Sequence, residues 1–202
     1  MNIANYVTLS RIPLLFIVVG LLCVPIPFSK TIGFFVYLVA ALSDWLDGYI
    51  ARRCDLVSTF GRFMDALTDK IFMIGLFISI LVLGVMPRWT LFFVLVIMGR
   101  EFFITGLRLV ASSRGIVLGA ERIGKIKTVM QTVTVGLFLS SQMIRSDLPF
   151  FPHWFERMIY GAALITFGIA FILTVLSGGY YIHRYRDLFD DRDSKGVGGC
   201  DF

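Results

Sequence analysis

Charged residues are scarce in this chain. Aspartate, glutamate, lysine and arginine together make up 16% of its 202 residues, against about 25% in ordinary soluble domains. Hydrophobic residues make up 57% and aromatic residues 15%, so too little charge is present to cover a water-facing surface. The composition excludes an ordinary soluble domain and favours a polytopic membrane protein with a single domain.

Cysteine and histidine patterns that bind metal are also missing. Cys23, Cys54 and Cys200 are scattered, and His153 and His183 lie far apart. We therefore expect no disulfide framework, no zinc site and no paired catalytic histidines. The first apolar run lacks a small-residue cleavage site and further apolar runs follow it, so we interpret it as a retained helix and not as a signal peptide.

Long apolar runs are what the chain has instead. Crossing a bilayer takes roughly 20 helical residues. We predict an all-α fold with six transmembrane helices, at about 10–27, 31–53, 61–86, 89–112, 123–144 and 157–183. Residues 1–184 would form one transmembrane domain, and the polar tail at 185–202 is expected to be partly disordered.

Two connections between these spans are distinctive. The very short link at Pro87-Arg88 predicts that the third and fourth spans form an antiparallel hairpin. Residues 145–156 contain two prolines and several aromatic residues, which is typical of an interfacial loop with an aromatic belt.

The distribution of lysine and arginine predicts the orientation. With both termini in the cytoplasm, most of these residues fall on the inner side and only Lys30, Arg88, Arg145 and Arg157 fall on the outer side, as the positive-inside rule requires. The net charge of +5 then reflects topology and contact with anionic lipid head groups, and we predict no nucleic-acid partner.

Four aspartates interrupt the apolar spans near one predicted cytoplasmic loop. Asp44 and Asp47 end the second span, and Asp65 and Asp69 begin the third. A carboxylate inside a bilayer costs a few kcal/mol or more, so the group requires a function. Spacings of three and four residues place each pair on one helix face, and antiparallel helices would bring the two pairs into one pocket.

Such a pocket allows three interpretations. Oxygen ligands alone select hard cations such as Mg²⁺ or Mn²⁺, and two such ions can clamp a phosphoryl group. The carboxylates could instead form a structural ion-pair cluster with neighbouring cations, or line a path for protons or ions. The acidic residues stay in the cytoplasmic half of the spans, which favours a site over a path. The neighbouring cations are Arg52, Arg53, Arg62 and Lys70.

The run from Asp44 to Asp69 reads D-x2-D-G-x2-A-R-x8-G-x3-D-x3-D. This pattern resembles the signature of the CDP-alcohol phosphotransferase family, which transfers a substituted phosphate from a CDP-linked donor to an alcohol. The resemblance implies that Asp44, Asp47, Asp65 and Asp69 bind the metal ions and that Asp69 is also the general base.

The same resemblance implies roles for other residues. Gly48 and Ala51 would lie against the cytidine nucleotide, and Arg52 would contact the diphosphate. Small residues admit a flat ligand, and a guanidinium suits phosphate oxygens. Asn5 and Thr8, in the N-terminal segment, are most simply helix caps, and they are also candidates for nucleotide contact.

Within the family, the chain most resembles the bacterial phosphatidylglycerophosphate synthases, which use CDP-diacylglycerol and glycerol 3-phosphate. The similarity lies in residues 2–11, 99–101, 106–108, 113–117 and 124–128, with Ala4 and Ala66 where those enzymes usually have proline. The implied product is phosphatidylglycerophosphate, with release of CMP. Phosphatidylglycerol, serine or inositol phosphate remain alternative acceptors.

A phosphorylated acceptor requires cations. The candidates are four basic residues of the second cytoplasmic loop and its helix ends, although these also satisfy the positive-inside rule: Arg108, Arg114, Lys125 and Lys127. Arg100 and Glu101 are predicted to be buried structural residues. Glu101 would pair with Arg100 of a neighbouring subunit or with a basic residue in the pocket.

These predictions together describe a multi-pass enzyme of the bacterial inner membrane with its active site toward the cytoplasm. The resemblance further implies a homodimer surrounded by membrane lipids.

Overall fold

The computed structural model describes residues 3–54, 59–113 and 122–184, without the side chains at 3–9, 44–54, 59–63, 65–66, 110, 112–113, 122–123, 182 and 184. All secondary structure in these ranges is helical. The helices are α1 (Ile3–Cys23), α2 (Ser29–Cys54), α3 (Thr59–Val82), α4 (Thr90–Ser113), α5 (Arg122–Asp147) and α6 (His153–Arg184). The prediction of an all-α fold is confirmed. The tail beyond Arg184 lies outside the described residues.

Each predicted span corresponds to one helix, but several boundaries were wrong. The first span was placed at 10–27, whereas α1 begins at Ile3 and ends at Cys23. The helix ends there because Pro25 and Pro27 follow, and proline lacks the amide hydrogen that a helix needs. Phe28 then takes a positive φ of 62°, which reverses the chain into α2.

Both hairpin connections differ from expectation in length. α3 ends at Val82 and α4 begins at Thr90, so the link is longer than predicted, and Gly84 takes the φ of +70° that its turn requires. The interfacial loop predicted at 145–156 is shorter than expected, because α5 continues to Asp147 and α6 begins at His153.

The carboxylate of Asp147 explains why α5 extends so far. Its Oδ2 accepts hydrogen bonds from the backbone N of Thr31 at 2.7 Å and from Thr31 Oγ1 at 2.8 Å. Thr31 lies in the first turn of α2, where amide groups lack partners within the helix. A carboxylate there also interacts favourably with the positive end of the helix dipole. The end of α5 is thereby fixed to the start of α2.

The helices pack around one hydrophobic core. α1 contacts α2 and α3, α5 contacts α2, α3 and α6, and α4 contacts α3 and α6. Val18, Leu76, Ile80, Val135 and Phe138 have no exposed surface. The core therefore draws on α1, α3 and α5, with α5 at the centre.

The outer faces of the helices are apolar. Phe16, Val82, Phe92 and Ile165 each expose 67–74% of their surface, and a water-soluble monomer rarely exposes so many large apolar side chains. Thr90–Leu109 and His153–Tyr181 are the helices in the described part of the chain that are long and apolar enough to cross a membrane. Shorter apolar segments occur at Ser10–Cys23 and Ser29–Ser43.

The close contact between α1 and α3 gives a prediction for stability. A Cβ atom at Gly75 would lie 2.5 Å from Leu15 Cδ2 and 3.3 Å from Leu15 Cγ, so Gly75→Ala overpacks this contact. We expect a loss of about 1–3 kcal/mol in unfolding free energy, measured as a lower thermal unfolding midpoint in detergent. Gly20→Ala in α1 is the control, because nothing lies within 4 Å of the added carbon, and an equal midpoint for both variants would contradict the prediction.

Candidate active site

One contact between α2 and α3 joins two parallel aromatic rings. The rings of Tyr37 and Phe72 are inclined by 1° with their centroids 6.5 Å apart, and Tyr37 Oη donates a 2.6 Å hydrogen bond to the carbonyl of Thr132 in α5. Tyr37 lies seven residues before Asp44, and Phe72 lies seven residues after Asp65. Seven residues are two helical turns, so this contact falls on the stripe of each helix that bears the aspartates.

The predicted metal ligands occupy the two helices that meet in this way. Asp44 and Asp47 lie in α2, and Asp65 and Asp69 lie in α3, but only the side chain of Asp69 is among those described. The described side chains include no group of three acidic, cysteine or histidine residues. The convergence of the four carboxylates therefore stays a prediction, and their all-oxygen donor set fits a hard divalent cation.

Asp69 lines a small cavity between α3, α4 and α5. Its polar wall consists of Asp69, Lys70, Glu101, Thr128 and Gln131. The remaining lining is apolar and comes from α3 and α4: Met73, Ile74, Phe77, Val94, Ile97 and Met98. One side of this cavity is therefore polar and charged, and the other side is apolar.

Glu101 is the centre of the charged contacts in this cavity. Its Oε2 lies 3.3 Å from Lys70 Nζ, and its Oε1 contacts Lys127 Nζ and lies 3.1 Å from Arg100 Nη1. The side chain of Glu101 is 12% exposed and that of Lys127 is 4% exposed. Buried charges in such a cluster require partners, and Glu101 finds cations on α3, α4 and α5.

These contacts identify the partners of Glu101, which the sequence left open between a neighbouring subunit and the pocket. Glu101 pairs with Arg100 of its own chain, with Lys70, which lines the cavity, and with Lys127. The sequence predicts Lys70 only as a counter-charge for the aspartates, and it assigns no role to the side chains of Thr128 and Gln131. The available signal was the polar stripe at Gly124, Thr128 and Gln131, which are spaced by four and three residues on α5.

The guanidinium of Arg100 is held from the other side by α6. Arg100 Nη2 donates a 3.0 Å hydrogen bond to Ser177 Oγ. The Arg100 stem passes so close to Gly178 that a Cβ there would lie 3.1 Å from Arg100 Cγ. A side chain at this position would therefore require the Arg100 stem to shift.

The predicted acceptor cations are found in different environments. Lys127 is buried against Glu101, whereas Lys125 is exposed. Arg108 is exposed and its Cζ lies 5.6 Å from the centre of the Tyr181 ring, within the range of a cation–π contact. Arg114 lies outside the described residues.

The predicted nucleotide contacts are located only at the level of the backbone. Gly48, Ala51 and Arg52 lie in the last turns of α2, and Asn5 and Thr8 lie in the first turns of α1. α1 and α2 pack against each other. The side chains of these residues are outside the described set, so their roles stay predictions.

The fold and the site together define a class of protein. It is an all-helical protein with spans apolar enough for a membrane and with a cavity of charged side chains among its helices. The chain belongs to the CDP-alcohol phosphatidyltransferase family, because the model of that family matches residues 1–176. Activity in this family generally depends on a divalent metal ion.

Curated relatives are similar over most of their length. The CDP-diacylglycerol–glycerol-3-phosphate 3-phosphatidyltransferase of Bacillus subtilis is 34% identical over 195 residues, covering 91% of this chain and 94% of the relative. The enzyme of the same name from Rickettsia bellii is 26% identical, covering 93% and 97%. A probable phosphatidylglycerophosphate synthase of Mycobacterium tuberculosis is 31% identical, covering 79% and 69%.

Proposed function

We propose that this chain transfers the phosphatidyl group of CDP-diacylglycerol to glycerol 3-phosphate, forming phosphatidylglycerophosphate and CMP. The observation that carries this proposal is the similarity to the Bacillus subtilis enzyme over nearly the whole of both chains. The signature between Asp44 and Asp69 supports the reaction, and the similarity beyond it supports the choice of acceptor.

The reaction proceeds as a direct displacement at phosphorus. A hydroxyl oxygen of the acceptor attacks the phosphorus that carries the lipid, the bond from that phosphorus to the CMP oxygen breaks, and Asp69 takes the hydroxyl proton. A carboxylate at the wall of the cavity is suited to accept that proton. No covalent intermediate on the protein is required.

The carboxylates of Asp44, Asp47, Asp65 and Asp69 would hold Mg²⁺ or Mn²⁺, as a pair of ions. Bound there, such ions neutralise charge on the diphosphate and orient it. The Tyr37–Phe72 contact supports this assignment, because it lies two helical turns from Asp44 in α2 and two helical turns from Asp65 in α3. Gly48, Ala51, Arg52, Asn5 and Thr8 would contact the nucleotide and its diphosphate.

The acceptor phosphate would be bound by cations at the cytoplasmic ends of α4 and α5. Arg108, Arg114, Lys125 and Lys127 are the candidates, and a guanidinium or ammonium group forms strong hydrogen bonds with phosphate oxygens. Lys127 contacts Glu101, and Glu101 lines the cavity of Asp69, which supports the assignment of Lys127 to this group.

The proposed setting is a bacterial inner membrane. All six helices would cross it, with both termini and the active site on the cytoplasmic side, and two copies would form a homodimer among membrane lipids. Residues 1–184 would form the catalytic domain, and residues 185–202 would form a cytoplasmic tail. The exposed apolar faces of α1, α4 and α6 support an environment of lipid.

A comparison of acceptors tests the proposed function. Purified protein in detergent receives CDP-diacylglycerol with glycerol 3-phosphate, phosphatidylglycerol, serine or inositol phosphate, and CMP release is measured. We expect glycerol 3-phosphate to give a rate at least tenfold above the others. CMP release with another acceptor but not with glycerol 3-phosphate would contradict the assignment, and a reaction without protein is the control.

A further inference from the structure

Glu101 gathers three cations around a single carboxylate. Lys70 comes from α3, Arg100 from α4 itself and Lys127 from α5. Together with the Asp69 carboxylate, which lines the same cavity, three positive and two negative charges leave a net charge of +1. A partly buried group of this kind attracts an anion, because little water is present to screen its charge.

The cluster has an ordered arrangement relative to the cavity. Lys70 and Glu101 line the cavity together with Asp69, whereas Lys127 lies behind Glu101 with 4% of its side chain exposed. The positive charge of Lys127 therefore offsets the carboxylate from the rear. The ammonium of Lys70 remains at the wall beside Asp69, where a phosphate can approach it.

The position of Glu101 depends in turn on α6. Arg100 bridges Glu101 Oε1 and Ser177 Oγ, at 3.1 and 3.0 Å, and its stem fills the space above Gly178. The chain of contacts thus runs from Ser177 and Gly178 through Arg100 and Glu101 to Lys70. Since Lys70 is adjacent to Asp69 in α3, a displacement at α6 would be transmitted to the wall of the cavity.

We propose that Glu101 is a positioning residue for the acceptor, holding Lys70 at the cavity wall so that the cluster binds the phosphate of glycerol 3-phosphate. The inference rests on the proposed function, and it adds Lys70, Glu101 and the Arg100–Gly178 contact to the acceptor side of the site. Because one carboxylate is shared among three cations, the cluster keeps an excess of positive charge that attracts a phosphate.

The substitution Glu101→Gln tests whether Glu101 positions the cations or whether their positive charge alone attracts the phosphate. Glutamine keeps the size of the side chain but removes the negative charge, so Lys70, Arg100 and Lys127 repel one another and disperse. We expect the KM for glycerol 3-phosphate to rise about tenfold while the KM for CDP-diacylglycerol stays within twofold. If charge alone mattered, the variant would be more positive and the KM for glycerol 3-phosphate would fall, and that result, or equal changes in both KM values, would overturn the proposal.

Two adjacent glycines of α6 provide a matched second test that leaves every charge in place. Gly178→Ala puts a carbon 3.1 Å from Arg100 Cγ, whereas Gly179→Ala meets nothing within 4 Å. We expect Gly178→Ala to raise the KM for glycerol 3-phosphate three- to tenfold and Gly179→Ala to leave it unchanged. Equal KM values for the two variants would overturn the proposal, even if Glu101→Gln does not fold.

The wild-type protein distinguishes this inference from the proposed function. Absence of CMP release from wild-type protein with glycerol 3-phosphate would end the proposed function itself. Normal wild-type turnover with an unchanged ratio of the two KM values in Glu101→Gln and Gly178→Ala would end only the role of Glu101.

Discussion

Asp69→Asn is expected to lower CMP release by about 10²–10⁴-fold, the range found when a general base is removed. Asparagine has nearly the same shape as aspartate, but its amide cannot take a proton from the acceptor hydroxyl and is a weaker ligand for a cation. Asp69 lines the cavity with Lys70 and Glu101, so the lost carboxylate lies where the acceptor would bind. The measurement is the rate of CMP release by purified protein.

Asp147→Asn is the matched control for this substitution. Asp147 contacts Thr31 at the opposite end of α2, about 20 Å along the helix from Asp44 at 1.5 Å per residue. We expect this control to lose stability and to keep kcat within about twofold. Near-normal turnover by Asp69→Asn, with an unchanged unfolding midpoint, would refute the role of Asp69 as the base.

The helices were predictable because a long apolar run in a chain with so little charge has few possible structures other than a helix. The lack of charge between 157 and 183, for example, indicates α6 directly, since a helix satisfies its own backbone groups in lipid. The ends of the helices were less predictable. The end of α5 depends on a contact between Asp147 and Thr31, 116 residues apart, and periodicity along the chain carries no information about such a contact.

The placement of the four aspartates on α2 and α3 was predictable from the same sequence for a different reason. Fixed spacings of three and four residues put Asp44 with Asp47, and Asp65 with Asp69, on single helix faces whatever the tertiary structure. The partners of Glu101 were not predictable in this way. Lys70 is 31 residues from Glu101 and Lys127 is 26 residues from it, so only the packing of α3, α4 and α5 brings them together.

The structural role of Gly178 cannot be recognised from the sequence. It stands beside Gly179 in α6, and nothing in the pattern distinguishes the two glycines. The structure does so, because Arg100 crosses one of them and not the other. A glycine in a helix costs about 1 kcal/mol relative to alanine. At Gly178 the absence of a side chain leaves space for Arg100, which contacts Glu101.

Removal of divalent cations is expected to abolish turnover. Chelation with excess EDTA should reduce CMP release below about 1% of the starting rate, because a divalent ion supplies several kcal/mol of charge stabilisation to a phosphoryl transition state. Adding Mg²⁺ or Mn²⁺ should restore it. The expectation follows from the donor set, since four carboxylates without histidine or cysteine select hard cations.

The recovery after chelation separates this effect from unfolding. If the four aspartates converge as predicted, they repel one another without the ion, so the metal-free protein should unfold at a lower temperature. The added ion should restore both the midpoint and the rate. Restored stability without restored turnover would indicate a structural ion. Full activity after thorough chelation would contradict the metal site, and would leave Arg52, Arg53 and Arg62 as the candidate counter-charges of a structural ion-pair cluster.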